Sequence, residues 1–410
     1  MRTRESAGAG DVGLSESVLV VWSEQLLQYD WGATHPMAPG RLALTMALAT
    51  DLGLLTRPGV RLSAPSTASD RDLERIHDPE YIAAVRLAPL RSSDAPLAEI
   101  GLGGQDNPIF EGMHRSSALI AGGSVDAARA VRRGAAQHSI NLAGGLHHAM
   151  RTRASGFCVY NDVAIAIAWL LADGVRRVAY VDLDAHHGDG VEAAFYDDPR
   201  VLTISVHESG YSAFPGTGFP QDIGGPRALG SAVNVALPPR TADAGWLRAL
   251  HAVVPPLVRA FAPEVLVTQL GCDSHRLDPL ATLAITVDAH RLSYATLHAL
   301  AHEVTQGRWI ALGGGGYSTV QVVPRSWTHL LAEITGAGLD TGMVTPAAWR
   351  DLVRRQTGRS APEVFTDGVQ PKYRPWDAGE GDVEDPIDRA IAAARRAVFP
   401  EHGLDPYDPR

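Results

Sequence analysis

Short runs of apolar and β-branched residues recur along the chain, and stretches with helical character separate several of them. The runs are Val18 to Trp22, Ser139 to Leu142, Val175 to Leu183, Val201 to Val206, Ala232 to Leu237, Glu264 to Leu270 and Trp309 to Leu312. Helical stretches include Ser116 to Arg133 and Val163 to Leu171. Unbroken apolar strands that alternate with helices are typical of a parallel sheet covered on both faces. The sequence therefore predicts an α/β fold, a single large domain with a mostly parallel β-sheet flanked by helices, and a site at the carboxyl ends of the strands.

The two ends of the chain differ from this alternating region. Residues 1–17 are polar and rich in Gly, Ala and Ser, so we expect a flexible N-terminal tail. Residues 18–336 carry the alternating pattern and form the predicted main domain. Beyond them the sequence predicts a helix near Ala347 to Arg355, a stretch rich in Pro, Asp, Glu and Gly, and a helix that ends near Val398. We interpret residues 337–410 as a helical and loop extension.

Charge and cysteine content disfavour several classes of function. The chain has 36 Lys and Arg against 46 Asp and Glu, a formal net charge of −10, whereas binding a polyanion needs a basic face. Its two cysteines, Cys158 and Cys272, are too few for a disulfide framework. The start of the chain lacks the apolar run of a secretory signal, and no apolar stretch reaches the ~18 residues of a membrane span. We therefore expect a cytoplasmic protein that binds neither nucleic acid nor membrane.

One strand ends in a cluster of ionisable residues. Asp182, Asp184 and His186 alternate within VAYVDLDAHHGDG, so the side-chain period of a strand would place them on one side. Burying carboxylates at the end of an apolar strand is costly unless a cation compensates, which favours a metal ion. The alternative is that the aspartates cap the following helix and His186 is an ordinary hydrogen-bonded histidine.

Asp273 follows the apolar run from Glu264 to Leu270 in the sequence GCDSH. Alone, such a Gly-x-Asp sequence is more typical of a turn or a helix cap. Together with Asp184 and His186, however, it gives two carboxylates and one imidazole. Three protein ligands leave coordination positions open, as a catalytic divalent ion requires, and this donor set admits Zn²⁺ or Fe²⁺.

Adjacent histidines follow a third strand end. His147 and His148 could exchange protons near neutral pH, and each would need a partner to fix its tautomer. Asp182 and Asp189 are the candidates for that role. Judged alone, the pair could equally be exposed or structural.

A tyrosine follows a fourth strand end. Tyr317 comes directly after four glycines, and its hydroxyl could donate a hydrogen bond to a developing oxyanion. The alternative is a flexible loop followed by a packing tyrosine. The glycines lack the lysine and hydroxyl of a nucleotide-binding loop, and the chain has no GxSxG elbow.

These residues stand in six ordered motifs: GGLHH, ASGFCVYND, YVDLDAHHGDG, FPGTG, GCD and GGGGY. In this order and spacing they resemble the histone deacetylase superfamily of metal-dependent amidohydrolases. Two further segments, GLGGQDNPIFEGMH and FYDDPRVLTISVHESG, are similar to the bacterial acetoin-utilisation (AcuC-type) deacetylases. The resemblance covers roughly Val18 to Gly336. It implies an arginase/deacetylase-like fold in which residues 18–336 form the catalytic domain.

The resemblance also implies a role for each motif residue. The implied ligands of Zn²⁺, with Fe²⁺ as the alternative, are Asp184, His186 and Asp273. The implied catalytic residues are His147, His148, Tyr317, Asp182 and Asp189. The implied substrate-binding residues of the acyl-lysine channel and its rim are Asp106, Gly156, Phe157, Phe214 and Gly315, with Arg41 below the pocket floor. A structural K⁺ ion would use Asp182, Asp184, His186, Ser205 and Val206. Many eukaryotic members carry an aromatic residue at the position of Leu146, so we expect a differently shaped inner cavity.

By the same resemblance, the predicted activity is zinc-dependent hydrolysis of acetyl-lysine-type amides on proteins, for example on an acyl-CoA synthetase. One alternative is hydrolysis of an acetylated polyamine or another small acetylated amine. A ureohydrolase would need further Asp or His ligands for a second metal, where this chain has Gly188 and Ser274. A non-catalytic acyl-lysine binding module would have no use for paired histidines and a phenol. The sequence leaves the oligomeric state open.

Overall fold

The computed structural model describes residues 17–90, 95–376 and 382–408. The flexible tail expected for residues 1–17 therefore lies, apart from Ser17, outside the described residues. None of the described helices is long and apolar enough to cross a lipid bilayer.

Eight strands in the described part of the chain form one sheet. They are β1 Val18–Val21, β2 Val60–Ser63, β3 His138–Asn141, β4 Val178–Asp182, β5 Val201–Glu208, β6 Ala232–Leu237, β7 Val265–Gln269 and β8 Trp309–Leu312. Their order across the sheet is β2-β1-β3-β8-β7-β4-β5-β6, and every neighbouring pair is parallel. This topology confirms the predicted α/β class.

Seven of these strands coincide with the predicted runs, with ends that differ by a few residues. The strand that the sequence pattern misses is β2, whose sequence is VRLS. It lies at the edge of the sheet, and none of its residues is fully buried. An edge strand that faces solvent has no need of a continuous apolar run, which is why the sequence pattern does not predict a strand there.

Helices flank the sheet. They are α1 Gly40–Asp51, α2 Asp70–Leu73, α3 Pro79–Leu87, α4 Ala95–Ala98, α5 Met113–Arg132, α6 Asp162–Ala172, α7 Asp189–Phe195, α8 Asp243–Phe261, α9 Val287–Thr305, α10 Val323–Ile334, α11 Ala347–Thr357 and α12 Pro386–Val398. Every residue of β1, β3, β4, β5, β7 and β8 is buried. Strands that are buried at every position have both faces covered, as in other parallel sheets.

The C-terminal residues pack against this body. In α12, Ile391 is fully buried in the core shared with the sheet, and α12 contacts both α8 and β6. Arg248 of α8 pairs with Asp388 of α12, with Nε 2.5 Å from Oδ1, and both side chains are buried. In α11, the Trp349 indole donates a hydrogen bond to the carbonyl of Leu44 in α1. The division into residues 18–336 and 337–410 remains a prediction, and the two parts share packed surfaces.

Candidate active site

Loops that follow four neighbouring strands meet at the centre of the sheet. In the sheet, β3, β8, β7 and β4 lie side by side in that order. Because parallel strands point the same way, the residues that follow them gather at one edge. The structure brings together there His147 and His148 after β3, Asp184 and His186 after β4, Asp273 after β7, and Tyr317 after β8.

Asp184, His186 and Asp273 form a compact buried cluster. His186 Nδ1 lies 3.2 Å from Asp184 Oδ1 and 3.0 Å from Asp273 Oδ2. On the other side of the ring, His186 Nε2 lies 3.4 Å from the carbonyl oxygen of Leu280. A carbonyl only accepts hydrogen bonds, so this contact favours a proton on Nε2 and leaves the lone pair of Nδ1 directed at the two carboxylates. A hydrogen-bonded outer nitrogen of this kind is typical of a metal-binding histidine.

The electrostatics of this cluster suit a cation. Burial and the neighbouring Asp184 carboxylate raise the pKa of Asp273. Burial lowers the pKa of His186, but Asp184 and Asp273 outweigh that effect and raise it well above its usual value. Both shifts reflect a strongly negative potential between the two carboxylates, which a divalent ion would relieve. The oxygen and imidazole donors fit Zn²⁺ or Fe²⁺.

Glycines allow the backbone to approach these carboxylates. A Cβ atom at Gly315 would lie 2.0 Å from Asp273 Oδ2, and one at Gly271 would lie 2.1 Å from Asp184 Oδ2. The backbone N–H of Gly315 donates to Asp184 Oδ2 at 2.8 Å. In the structure, Gly315 thus lies against the predicted metal ligands, while Gly156 lines the cavity described below.

The paired histidines each contact a carboxylate. His147 Nδ1 lies 2.7 Å from Asp182 Oδ2, and His148 Nδ1 lies 2.7 Å from Asp189 Oδ1. The two Nε2 atoms lie 3.0 Å apart. The hydroxyl of Tyr180 donates a second hydrogen bond to Asp182 Oδ2. These contacts fix both ring orientations and direct both Nε2 atoms toward each other.

The two histidines have opposite pKa shifts. Burial lowers the pKa of His147, but the carboxylates of Asp182 and Asp184 outweigh it and raise the pKa to about 9. Burial and the positive charge of His147 lower the pKa of His148 to about 4, against the pull of Asp189. At neutral pH, therefore, the His147 ring is positively charged and the His148 ring is neutral. A charged and a neutral imidazole side by side are suited to acid and base chemistry near neutral pH.

A cavity of about 190 Å³ opens onto this arrangement. Its lining residues are Asp106, His148, Gly156, Phe157, His186, Phe214, Leu280 and Tyr317. The Phe214 ring packs edge-on to His148 with centroids 4.9 Å apart, and the Phe157 ring packs edge-on to Tyr317 at 5.6 Å. The cavity thus has aromatic walls and a polar floor, which suits an alkyl chain that ends in an amide.

Tyr317 is held by its backbone and by the loop before it. Its N–H donates to Asp278 Oδ2 at 2.8 Å. Burial and the carboxylates of Asp273 and Asp184 raise the pKa of the Tyr317 hydroxyl well above its usual value, so it stays a neutral donor. Behind the loop, the guanidinium of Arg41 donates to the carbonyls of Gly314 and Gly316 at 2.8 and 3.1 Å.

Leu146 and Arg41 border a second, much smaller cavity of about 10 Å³. The expectation of a different inner cavity at Leu146 remains a prediction. The K⁺ site also remains a prediction: Ser205 pairs in register with Asp182 across β5 and β4, and its hydroxyl lies 2.8 Å from His207 Nδ1.

Several residues at the site escape the sequence analysis. Gln269 Nε2 donates to Asp184 Oδ2 at 2.6 Å, and Leu280 lines the cavity. At the rim, His35 Nε2 lies 3.2 Å from the carbonyl of Asp106, and its ring packs edge-on to Phe157. A polar residue at the end of the apolar strand β7 was a usable signal for Gln269. Leu280 and His35 stand in ordinary loop sequences that carry no comparable signal.

The geometry also bears on a second metal ion. Within the described residues, three potential ligands gather at this site. A Cβ atom at Gly188 would lie 2.2 Å from Asp182 Oδ2, so a larger ligand residue does not fit there without rearrangement. The hydroxyl of Ser274 hydrogen-bonds His290 Nε2 at 3.0 Å. These features disfavour a binuclear centre.

Comparisons with known proteins found several that are similar to this chain. Residues 35–334 match the histone deacetylase domain. The acetoin utilization protein AcuC of Bacillus subtilis (strain 168) is 40% identical over 317 residues, which cover 77% of this chain and 81% of that protein. The AcuC protein of Staphylococcus xylosus is 38% identical over 318 residues, with 77% and 82% covered. The crystal structure of an HDAC homolog from Aquifex aeolicus superimposes with a TM-score of 0.78 at 28% identity, covering 92% of this chain and all of that one.

Proposed function

The chain belongs to the histone deacetylase family and is a deacetylase, and from that premise we propose that it removes acetyl groups from lysine side chains of proteins. Water would cleave the acetyl-lysine amide and leave acetate and a free amine. The observation that carries this proposal is that His148, His186 and Tyr317 line one cavity with aromatic walls.

Asp184, His186 and Asp273 would hold one divalent ion, Zn²⁺ or Fe²⁺. Such an ion, when bound, polarises the amide carbonyl and makes a nearby water molecule a better nucleophile at neutral pH. The Gln269 amide and the Gly315 N–H both donate to Asp184 and orient its carboxylate. These donors hold the ligand geometry in place before substrate binds.

His148 is the residue suited to exchange protons with the reactants. It lines the cavity, and its pKa of about 4 leaves it neutral and able to accept a proton from the attacking water. The same proton can then pass to the leaving amine. His147, with a pKa of about 9, stays charged beside it and stabilises the negative charge that develops in the transition state.

Tyr317 would donate its hydroxyl proton in a hydrogen bond to the carbonyl oxygen as that oxygen becomes negative. Its raised pKa keeps it protonated at the pH of the reaction. The hydrogen bonds from Arg41 and to Asp278 hold the loop and the tyrosine backbone, which limits the positions that the side chain can take. Preorganised donors of this kind are a large source of rate enhancement.

The rim supports a protein substrate. A larger cavity of about 590 Å³ adjoins the active-site cavity and shares Asp106 and Gly156 with it. Most of its lining residues belong to the 101–107 and 154–156 segments, and they include four glycines and the polar residues Gln105, Asp106, Asn107 and Ser155. A polypeptide on either side of an acetylated lysine has backbone groups that could pair with such a surface, whereas a small acetylated amine would leave it empty. We therefore place proteins ahead of acetylpolyamines as substrates.

A parallel assay separates the alternatives. The metal-loaded protein would be incubated with acetyl-lysine peptides, acetylpolyamines and agmatine, with and without a chelator. We expect chelator-sensitive release of acetate from the peptides at the highest kcat/KM. Preferred turnover of acetylpolyamines would move the substrate class to small amines, and hydrolysis of agmatine would favour a ureohydrolase.

The related AcuC proteins are named for acetoin utilisation. We propose that this chain acts in the same context in the cytoplasm, on an acetylated metabolic enzyme such as an acyl-CoA synthetase. Treatment of the acetylated synthetase with the metal-loaded protein should remove acetyl-lysine, as read by mass spectrometry, and restore synthetase activity. An unchanged acetylation pattern would exclude that substrate while leaving the peptide assay as the test of the chemistry.

A further inference from the structure

A second group of potential metal ligands lies at the opposite edge of the sheet. His138 is the first residue of β3, and His298 and His302 are one turn apart on α9. We refer to these three residues as the amino-edge cluster. His147 follows the carboxyl end of β3, so the strand separates this cluster from the candidate active site.

The three imidazoles converge through the same ring atom. His298 Nε2 lies 3.3 Å from His138 Nε2 and 3.0 Å from His302 Nε2. The ring centroids are 4.9, 5.0 and 4.8 Å apart, and the ligand atoms all lie within 4.8 Å of one another. Zn–N bonds of about 2.05 Å in a tetrahedral site place neighbouring nitrogens about 3.3 Å apart. The separations of 3.3 and 3.0 Å from His298 Nε2 are therefore close to those around one shared ion.

A carboxylate orients the central ring. His298 Nδ1 lies 2.9 Å from Glu333 Oε1 of α10. A carboxylate only accepts hydrogen bonds when ionised, so it favours the proton on Nδ1 and leaves the lone pair of Nε2 facing His138 and His302. Carboxylate–histidine–metal arrangements of this kind fix the tautomer and increase the basicity of the ligand.

One shared cation accounts for the convergence of the three rings. With the His298 proton on Nδ1, its Nε2 offers one lone pair to two approaching nitrogens. A single cation between the rings would accept all three lone pairs at once. A cation could also reach the cluster from solvent, because His298 and His302 are only partly buried.

We propose that the amino-edge cluster binds one divalent transition-metal ion of the Zn²⁺ type. Imidazole ligands suit Zn²⁺, Ni²⁺, Cu²⁺ and Co²⁺ and are poor ligands for Mg²⁺ and Ca²⁺. The ion would join β3 to α9 and, through Glu333, to α10. We assign it a structural role because it would tie together three elements at the edge remote from the reaction.

The metal content of the full-length protein tests this proposal. Purified protein is stripped with a chelator, titrated with Zn²⁺ alone, dialysed, and analysed for zinc per chain and for the melting temperature. We expect wild type to hold two ions and H298A/H302A to hold one, with a lower Zn²⁺-dependent rise in melting temperature. The matched control is H251A, a partly buried histidine on α8 outside the cluster, which should behave as wild type.

Two milder variants guard against a folding defect. E333Q keeps all three imidazoles and should weaken Zn²⁺ binding at this site about 10- to 100-fold, as loss of an orienting partner commonly does. H302Q removes one ligand at a partly buried position. Mg²⁺ in place of Zn²⁺ should give no stabilisation in any of these proteins.

The location of the second ion distinguishes this proposal from a binuclear active site. An ion of the amino-edge cluster is lost in H298A/H302A and retained in D273N, while deacetylase turnover in H298A/H302A continues. If H298A/H302A and E333Q bind Zn²⁺ with the stoichiometry and affinity of wild type, the cluster does not hold an ion and the proposal is wrong.

Discussion

Asp367 Oδ2 lies 2.8 Å from His275 Nε2, so a side chain of the C-terminal segment supports the loop that carries Asp273. The same carboxylate accepts hydrogen bonds from Arg325 at 3.1 Å and from the N–H of Val287 at 2.9 Å. Burial raises the pKa of Asp367, but His275 and Arg325 outweigh it and hold the pKa well below its usual value.

Replacing Asp367 should destabilise the fold. In D367A the buried Arg325 guanidinium loses its carboxylate partner and keeps only its hydrogen bonds to the carbonyls of Gln321 and Thr366. Breaking a buried ion pair in this way costs about 3–5 kcal/mol. Denaturant unfolding near pH 7 measures the loss. The matched control D351A removes an exposed carboxylate and should stay within about 0.5 kcal/mol of wild type.

The effect of D367A should depend on pH in a defined direction. The folded pKa of Asp367 lies below its unfolded value of about 3.9, so its contribution is complete above that value and is lost as the pH falls toward the folded pKa. Wild type and D367A should therefore converge in stability on acidification. A difference that grows as the pH falls would contradict the assignment of this carboxylate as ionised.

Loss of the Tyr317 hydroxyl should slow the reaction. We expect Y317F to lower kcat about 10²-fold or more with little change in folding, because an oxyanion donor acts in the transition state. The control Y373F alters a tyrosine remote from the cavity that stacks on His251. A near-wild-type kcat for Y317F would refute the role given to this residue.

The alkaline side of the pH–rate profile should report on His147. Asp182 helps to raise the pKa of His147 to about 9, so D182N should lower that pKa. His147 then loses its proton at a lower pH, and the alkaline fall in kcat/KM should move to lower pH in D182N. If the alkaline fall in kcat/KM stays in place or moves to higher pH in D182N, His147 is not the charged group of the active enzyme. Zinc content, measured in parallel, controls for loss of the ion.

A methyl group at position 315 should disrupt the predicted metal site. The Cβ of G315A would lie 2.0 Å from Asp273 Oδ2 and 2.9 Å from Asp184 Oδ2. We expect weaker Zn²⁺ binding at this site and a large loss of activity, read by metal titration and kcat/KM. In the control G338A, nothing lies within 4 Å of the added Cβ, so binding and activity should be unchanged.

Removal of residues 337–410 should leave an unstable protein. Trp349, Ile391 and Phe399 are buried against the rest of the chain, and Asp388 pairs with Arg248. Truncation exposes the surfaces that they cover, so we expect aggregation on expression. A soluble, cooperative and active 1–336 fragment would instead show that residues 18–336 fold as an independent domain.

Much of the candidate site follows from local chemistry. Asp182, Asp184 and His186 alternate where an apolar strand ends, and the cost of burying such groups already predicts a cation. The strands beneath them are recognisable because both faces of a parallel sheet are buried. The edge strand β2 has no such constraint, which is why the pattern does not find it. The sequence likewise does not identify Leu280 and His35 as site residues, since their positions depend on how a loop folds back over the cavity.

The sequence by itself determined the α/β class and the groups that stand at each strand end, because periodicity and the cost of burying charge act over a few neighbouring residues. The tertiary structure alone decided which strand ends meet. By placing β8 between β3 and β7, it brings Tyr317 to the paired histidines, and by packing α9 near the start of β3 it brings His298 to His138. Contacts between distant segments depend on strand order and helix packing, and these leave no periodic trace in the sequence.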